Sequence, residues 1–287
     1  MSSTYQSNGA TLAFSDSGAG LPVVFLHPTP LDGEYWRPLT EKLSGVRAIV
    51  PDLRGHGASE LGVLPAGGFP PLPDAPVLTM ARLASDVLAL LDHLQLPSAI
   101  FAGCSIGGYV LLEIWRQAPE RVSGLAFVCS KPQPDAVANQ PRRASTITQA
   151  RADKSAQLFD GMVQALTGET ARRNQPAIVV ELRVHMTLTP ETLTAVQAGL
   201  STRPDSVPTV ATITVPILAI AGGEDPGVSP TEMGVFRAAP GGCDFHLLPD
   251  AGHFAAYEQP ENVAALITDW LRQFAFWSPP ASSTHSA

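Results

Sequence analysis

Charge is scarce in this sequence. Asp, Glu, Lys and Arg make up 15% of its 287 residues, against about a quarter in an ordinary soluble domain. The balance is acidic, 26 Asp and Glu against 18 Lys and Arg, for a net charge of −8. No basic run is longer than Arg142-Arg143 or Arg172-Arg173. A nucleic-acid backbone needs clustered cations, so no nucleic-acid partner is expected. No apolar run approaches the ~18 residues of a membrane-spanning helix, and no membrane partner is expected either. The first residues are polar, without the basic-then-apolar pattern of a signal peptide. Cysteine is scarce too: Cys104, Cys129 and Cys243 are widely spaced and odd in number. That fits neither a disulfide framework nor a metal site and suits a reducing compartment, so a cytoplasmic location is expected.

Glycine and proline, by contrast, are plentiful, at 24 and 27 residues, and hydrophobic residues reach 45%. The chain is rich in turns but long enough to bury a sizeable core. Short apolar runs alternate with longer helical patterns. Val23-Val24-Phe25-Leu26, Ala48-Ile49-Val50, Ala99-Ile100-Phe101-Ala102 and the runs at 125–128, 217–221 and 245–248 read as strands. Between them, residues 79–94 place Met80, Leu83, Val87, Leu90, Leu91 and Leu94 on one helical face, with Thr79 as a cap. Residues 33–43, 106–118 and 260–274 also read as helices. Strands that are apolar throughout and alternate with helices predict an α/β protein with a mostly parallel, doubly wound sheet covered on both faces.

Two stretches break the rhythm. Residues 61–76 are crowded with proline and glycine and read as a surface loop. Residues 131–212 show helical patterns at 150–167, 176–186 and 190–200 and few strand signals. That is too long for a bare loop, and a helical cap inserted between two late strands accounts for it. The expected organisation is a core of 1–130 with 213–277, a cap of 131–212, and a frayed tail at 278–287.

The strand at 99–102 runs into Gly103-Cys104-Ser105-Ile106-Gly107 and then a helix. The glycines permit a sharp strand-to-helix turn that forces Ser105 outward at the carboxyl end of the sheet. A serine hydroxyl is a poor nucleophile at neutral pH and needs a base, which in turn needs an orienting acid. Later strands deliver candidates in that order. The run at 217–221 leads into Gly222-Gly223-Glu224-Asp225, and that at 245–248 into Asp250-Ala251-Gly252-His253-Phe254.

Over about residues 10–276 the chain resembles the α/β-hydrolase superfamily, specifically its small bacterial esterases, lactonases and C–C hydrolases. The marks are Leu26-His27-Pro28, the run from Asp52 to Ser59 (DLRGHGAS), the serine turn, Gly222 through Asp225, and Ala251-Gly252-His253 followed by Glu258-Gln259-Pro260. The resemblance implies Ser105 as nucleophile, His253 as general base and Asp225 as its acid, with Glu224 and Asp250 as rival carboxylates. It implies an oxyanion hole built from the backbone N–H of Ile106 and one from the loop after Leu26. That loop departs from the family's His-Gly pattern. Pro28 and Pro30 have no N–H, so Thr29 is assigned as the second donor. His27, Cys129 and Phe254 are the candidates for contacting substrate. Arg54 and His56 are read as organising their own turn, and Cys104 as a small buried filler.

The resemblance thus implies a hydrolase without cofactor or metal, acting on a small-molecule carboxylic ester or lactone and compatible with a homodimer. The low overall charge suits an uncharged ester. Rivals on the same fold are a C–C bond hydrolase, a perhydrolase (Pro30 resembles a proline of that group) and a proline iminopeptidase. A non-catalytic small-ligand receptor is the rival of another class.

Overall fold

A computed structural model describes residues 2–274. The expected tail at 278–287 lies outside the described residues. Eight strands form one sheet: β1 (Ser2–Ser7), β2 (Ala10–Gly18), β3 (Leu21–Leu26), β4 (Val46–Pro51), β5 (Ala99–Cys104), β6 (Val122–Val128), β7 (Ile217–Gly222) and β8 (Cys243–Leu248). Their order is β1-β2-β4-β3-β5-β6-β7-β8. β1 with β2 and β2 with β4 are antiparallel; all other pairs are parallel. The sheet is therefore mostly parallel and doubly wound.

Both faces are buried, and the period of two along each strand divides the core. Val24 and Leu26 point to one face with Phe101, Leu125 and Phe127, packing under Leu83, Val87, Val110 and Ile114 of two helices. Val23 and Phe25 point to the other with Ile100, Ala102 and Val128, against Tyr35, Trp36, Ile267 and Trp270. The helices Met80–His93 and Ile106–Gln117 supply the first layer, and Pro260–Leu271 part of the second. The cap on Met80–His93 is as expected, with the Thr79 hydroxyl accepting the Arg82 N–H at 3.1 Å.

Three local readings change. The polar first twenty residues hold β1 and β2, whose outward side chains hide the strand pattern; the signal was Asn8-Gly9, at φ 46° and 75°, a pair that favours tight hairpins. The helix expected over 150–167 is two helices, Gln140–Arg151 and Ser155–Leu166, parted at Asp153, whose φ is 59°. The loop at 61–76 is more than surface: Phe69 is fully buried and packs with Ala75, Ile147 and Ala198.

Between β6 and β7 the chain is helical, from Gln140–Arg151 through Pro190–Ser201. These helices add Phe159, Val163, Ile178 and Leu182 to the second core layer. β3 has β4 on one side and β5 on the other, so the connections leave β3 and β5 toward opposite edges of the sheet. A crevice outside the carboxyl ends of two such strands is where open α/β sheets place their ligands. The segments after β3 and β5 carry Thr29 and Ser105.

Candidate active site

Ser105 stands between β5 and the helix Ile106–Gln117 with φ 53° and ψ −116°. That is costly for a residue bearing a Cβ and is held only where the surroundings over-determine it. The packing supplies the reason: a Cβ on Gly107 would lie 2.2 Å from the Leu26 carbonyl oxygen, and one on Gly103 would lie 2.5 Å from the Gly107 carbonyl carbon. Only glycines at both positions let the helix start this close to β3. The Ser105 backbone is pinned at both ends, its N–H to Val128 O at 3.2 Å and its carbonyl to the Ser130 hydroxyl at 2.8 Å. Although Ser105 occupies the cap position of the helix, its side chain makes no capping bond.

His253 is buried, and its Nδ1 lies 2.8 Å from Asp225 Oδ2. The other carboxylate oxygen accepts the N–H groups of Gly227 at 2.8 Å and Val228 at 3.2 Å. Asp225 is thus fixed at both oxygens, which leaves Nδ1–H of the neutral imidazole donating to it and Nε2 free to act as a base. Burial lowers the His253 pKa, but the charge and hydrogen bond of Asp225 outweigh it and the net shift is upward. The rival carboxylates are elsewhere. Glu224 accepts from the Thr170 N–H at 2.8 Å and hydroxyl at 2.6 Å, and Asp250 is exposed.

The loop carrying His253 has its polar backbone groups satisfied one by one. Glu258 accepts from Gly252 N–H at 2.7 Å, Phe254 N–H at 3.1 Å and Gly168 N–H at 3.2 Å. The His253 N–H donates to Leu166 O at 2.9 Å. The Cys104 and Cys129 thiols donate to the carbonyls of His253 and Gly252, at 3.6 and 3.5 Å. Burial pushes both thiols up, which keeps them protonated donors. Glu258 escaped the sequence reading as a working residue, although Glu258-Gln259-Pro260 stood in plain view.

Ser105, His253 and Thr29 line one cavity of about 230 Å³. The Thr29 hydroxyl lies 3.0 Å from His56 Nε2, and His56 Nδ1 lies 3.0 Å from Arg54 O. Because His56 is buried neutral, its Nδ1–H donates to Arg54 O and Nε2 accepts from Thr29. Ile106 is the first residue of its helix, so its N–H is one of the first-turn donors without an intrahelical partner. Arg54 is buried and gives a two-pronged ion pair to Asp86, with bonds of 2.7 Å each; with His56 it organises the turn, as its sequence suggests.

The three expected substrate contacts are not among the residues lining this cavity. His27 is fully buried with both ring nitrogens engaged, Nδ1 at 2.9 Å from Pro28 O and Nε2 accepting Leu53 N–H at 2.9 Å. Cys129 lies beneath the His253 loop, and Phe254 is fully buried. A strand end fixes where a residue sits but not which way its side chain turns. Arg183, His185 and Met186, in the helical segment between β6 and β7, do not line the cavity either: Arg183 pairs with Asp160 at 2.6 Å and His185 with Asp32 at 3.4 Å. The lining is also far from uncharged, with Lys131, Asp135, Arg142, Arg143 and Arg203 in it. Among the described residues no helix is long and apolar enough to cross a membrane, and no three His, Cys, Asp or Glu side chains are grouped as a metal site would require.

A family model for the alpha/beta hydrolases matches residues 23–266, and the chain belongs to that family. It is 32% identical to a thermophilic esterase from Thermogutta terrifontis, which it superposes on with a TM-score of 0.86 over 95% of this chain and 98% of that one. It is 28% identical over 267 residues, 88% of this chain and 94% of the other, to a Mycobacterium tuberculosis protein named provisionally as a non-heme bromoperoxidase. An enol-lactonase from Burkholderia xenovorans shares the fold at 23% identity and a TM-score of 0.82, over 94% of this chain and 100% of that one.

Proposed function

We propose that this protein is a serine hydrolase of carboxylic esters or lactones. One observation carries the reading: the Asp225–His253 pair at 2.8 Å opens onto the same cavity as a serine held in the left-handed region at a strand-to-helix turn. In the first half-reaction Ser105 Oγ attacks the carbonyl carbon as His253 Nε2 takes its proton. The oxyanion forms against the N–H groups of Thr29 and Ile106. The C–O bond then breaks and His253 returns the proton to the departing alkoxide, which in a lactone stays tethered to the acyl chain. In the second half, water loses a proton to His253 and attacks the acyl-enzyme. The acid leaves as Ser105 recovers its hydrogen. Residues 131–212 act as the cap that closes the cavity over Ser105. Replacing Ser105 by Ala abolishes hydrolysis of a short p-nitrophenyl ester with the fold intact; a wild-type rate would overturn the reading.

A second reading on the same acyl-enzyme is perhydrolysis, with hydrogen peroxide attacking in place of water and a peracid leaving. Likeness to the bromoperoxidase-named relative favours it. Peracid formed from acetate and peroxide, scored by halide oxidation, separates it from plain hydrolysis.

A further inference from the structure

The cavity is more basic than the chain around it. Four of its lining residues are cations, Lys131, Arg142, Arg143 and Arg203, and one is an acid, Asp135. The chain carries −8 overall, so this concentration runs against the composition. Lys131 is neutralised by Glu232. Arg143 holds Asp135 through two bonds of 2.9 and 3.2 Å. Arg203, its side chain 4% exposed, reaches the same carboxylate at 3.4 Å. Two guanidiniums therefore share a single carboxylate. Arg203 fills its remaining contacts with the carbonyls of Leu200 and Gln133 and the face of Tyr109, and its buried Nε has no partner. Arg142 makes none of the ion pairs found among the described residues. Two positive charges in the lining are left without a counter-charge.

Helix electrostatics sharpens the anomaly. Arg142 and Arg143 lie in the first turn of the helix Gln140–Arg151, the end where the backbone dipole is positive and cations are disfavoured. Arg143 is accounted for by its bonds to Asp135 and Gln197, whereas Arg142 has no such ion pair among the described residues. An anion in the cavity would be attracted by both guanidiniums and by the dipole. Burial of Arg203 strengthens the attraction, since screening by water and salt is weaker there.

We infer that the cavity contains an anion subsite, so that the preferred substrate is an ester carrying a free carboxylate on the part of the molecule that lies against Arg142 and Arg203. This rests on the hydrolase reading for the reacting end and names the substrate class for the other. A guanidinium binds a carboxylate through matched parallel bonds. A cavity of about 230 Å³ has room for about eight water-sized groups, which suits the half-ester of a short dicarboxylic acid. The same lining has no acidic cluster to hold a substrate ammonium, which counts against the aminopeptidase rival.

The test compares monomethyl glutarate with methyl pentanoate, which replaces the free carboxylate by a methyl group. The anionic ester is expected to have the higher kcat/KM by about tenfold or more, the scale of one hydrogen bond to a charged group, with the gain in KM. The ratio shrinks with added salt. Arg142, exposed at the rim, is the position to vary; R142Q collapses the ratio and R142K retains part of it. A ratio at or below one, or a ratio unchanged in R142Q, overturns the subsite. If neither methyl ester is cleaved, the hydrolase reading is judged by p-nitrophenyl ester hydrolysis, and calorimetric titration with glutarate decides the subsite independently. Binding that weakens at least severalfold in R142Q supports it, and absence of binding, or equal binding in R142Q, overturns it.

Discussion

The carboxylate of Asp225 meets His253 Nδ1 at 2.8 Å while its other oxygen is tied to the N–H groups of Gly227 and Val228. The acid therefore has no freedom to turn away, and the imidazole can present only Nε2 to the cavity. Replacing Asp225 by Asn keeps the shape but offers Nδ1 an amide, which favours the wrong tautomer. A fall in kcat of about 10⁴ is expected, as for orienting acids in serine hydrolases. D250N, altering an exposed carboxylate, keeps the wild-type rate. Ester-hydrolysis kinetics on the two variants checks both; the reverse pattern would move the acid to Asp250.

Activity should fall toward acid as His253 takes up a proton and ceases to be a base. Burial opposes the imidazolium, but Asp225 overrides it, so the His253 pKa lies above its ordinary 6.5. The acid limb of kcat/KM is therefore expected above pH 6.5, and it measures the free enzyme's base. The residual activity of D225N should show that limb shifted to lower pH, because the group that raises the pKa is gone. A limb centred well below 6.5 in the wild type would contradict the geometry.

Stability carries a separate acid dependence from two other histidines. Burial lowers the pKa of His27 to about 4, and burial with the charge of His27 lowers that of His56 to about 3. In the unfolded chain both sit near 6.5, so between these values the unfolded state binds more protons than the folded one. Stability is full above pH 6.5 and drains away as pH falls through that window. Melting temperatures from pH 7 to pH 4 should decline, and H56Q, with one fewer buried imidazole, should decline less steeply. An equal slope in the variant would show that His56 does not contribute.

Glu258 holds three N–H groups, two of them flanking His253 and the third, from Gly168, in the helical segment between β6 and β7. E258A leaves those donors buried and unpaired, at a cost of at least about 2 kcal/mol. The His253 loop loosens as well, so kcat falls and the melting temperature drops together. E258Q, which keeps an acceptor oxygen, should recover part of both. Denaturant unfolding alongside kinetics tests this; a loss of stability with kcat unchanged would confine Glu258 to the fold.

How much of the fold and site could be read from residues alone depended on how local each cause is. The turn at Ser105 was legible because the glycines that shape it lie within two residues of the serine and a buried strand runs straight into it. The helix Met80–His93 was legible for the same reason, its apolar face and its Thr79 cap being contained in one stretch of chain. Glu258 was not, because one of its partners is Gly168, distant in sequence and brought up by tertiary packing. His27 and Cys129 directly follow strands, yet their side chains turn into the core, a matter of backbone direction that spacing does not encode. The low overall charge did not foretell the charged lining of the cavity, for a plainer reason. A low charged fraction says how many charges there are, whereas the packing of Gln140–Arg151 and Arg203 decides where they gather.

The proposed mechanism stands or falls on Ser105 as the nucleophile, and covalent labelling of the active site decides that point. The protein is treated with a fluorophosphonate and its peptides are analysed by mass spectrometry. One adduct is predicted, on Ser105, accompanied by complete loss of esterase activity and absent from the S105A variant. Labelling elsewhere with Ser105 unmodified, or S105A that still hydrolyses the ester at the wild-type rate, would contradict the mechanism.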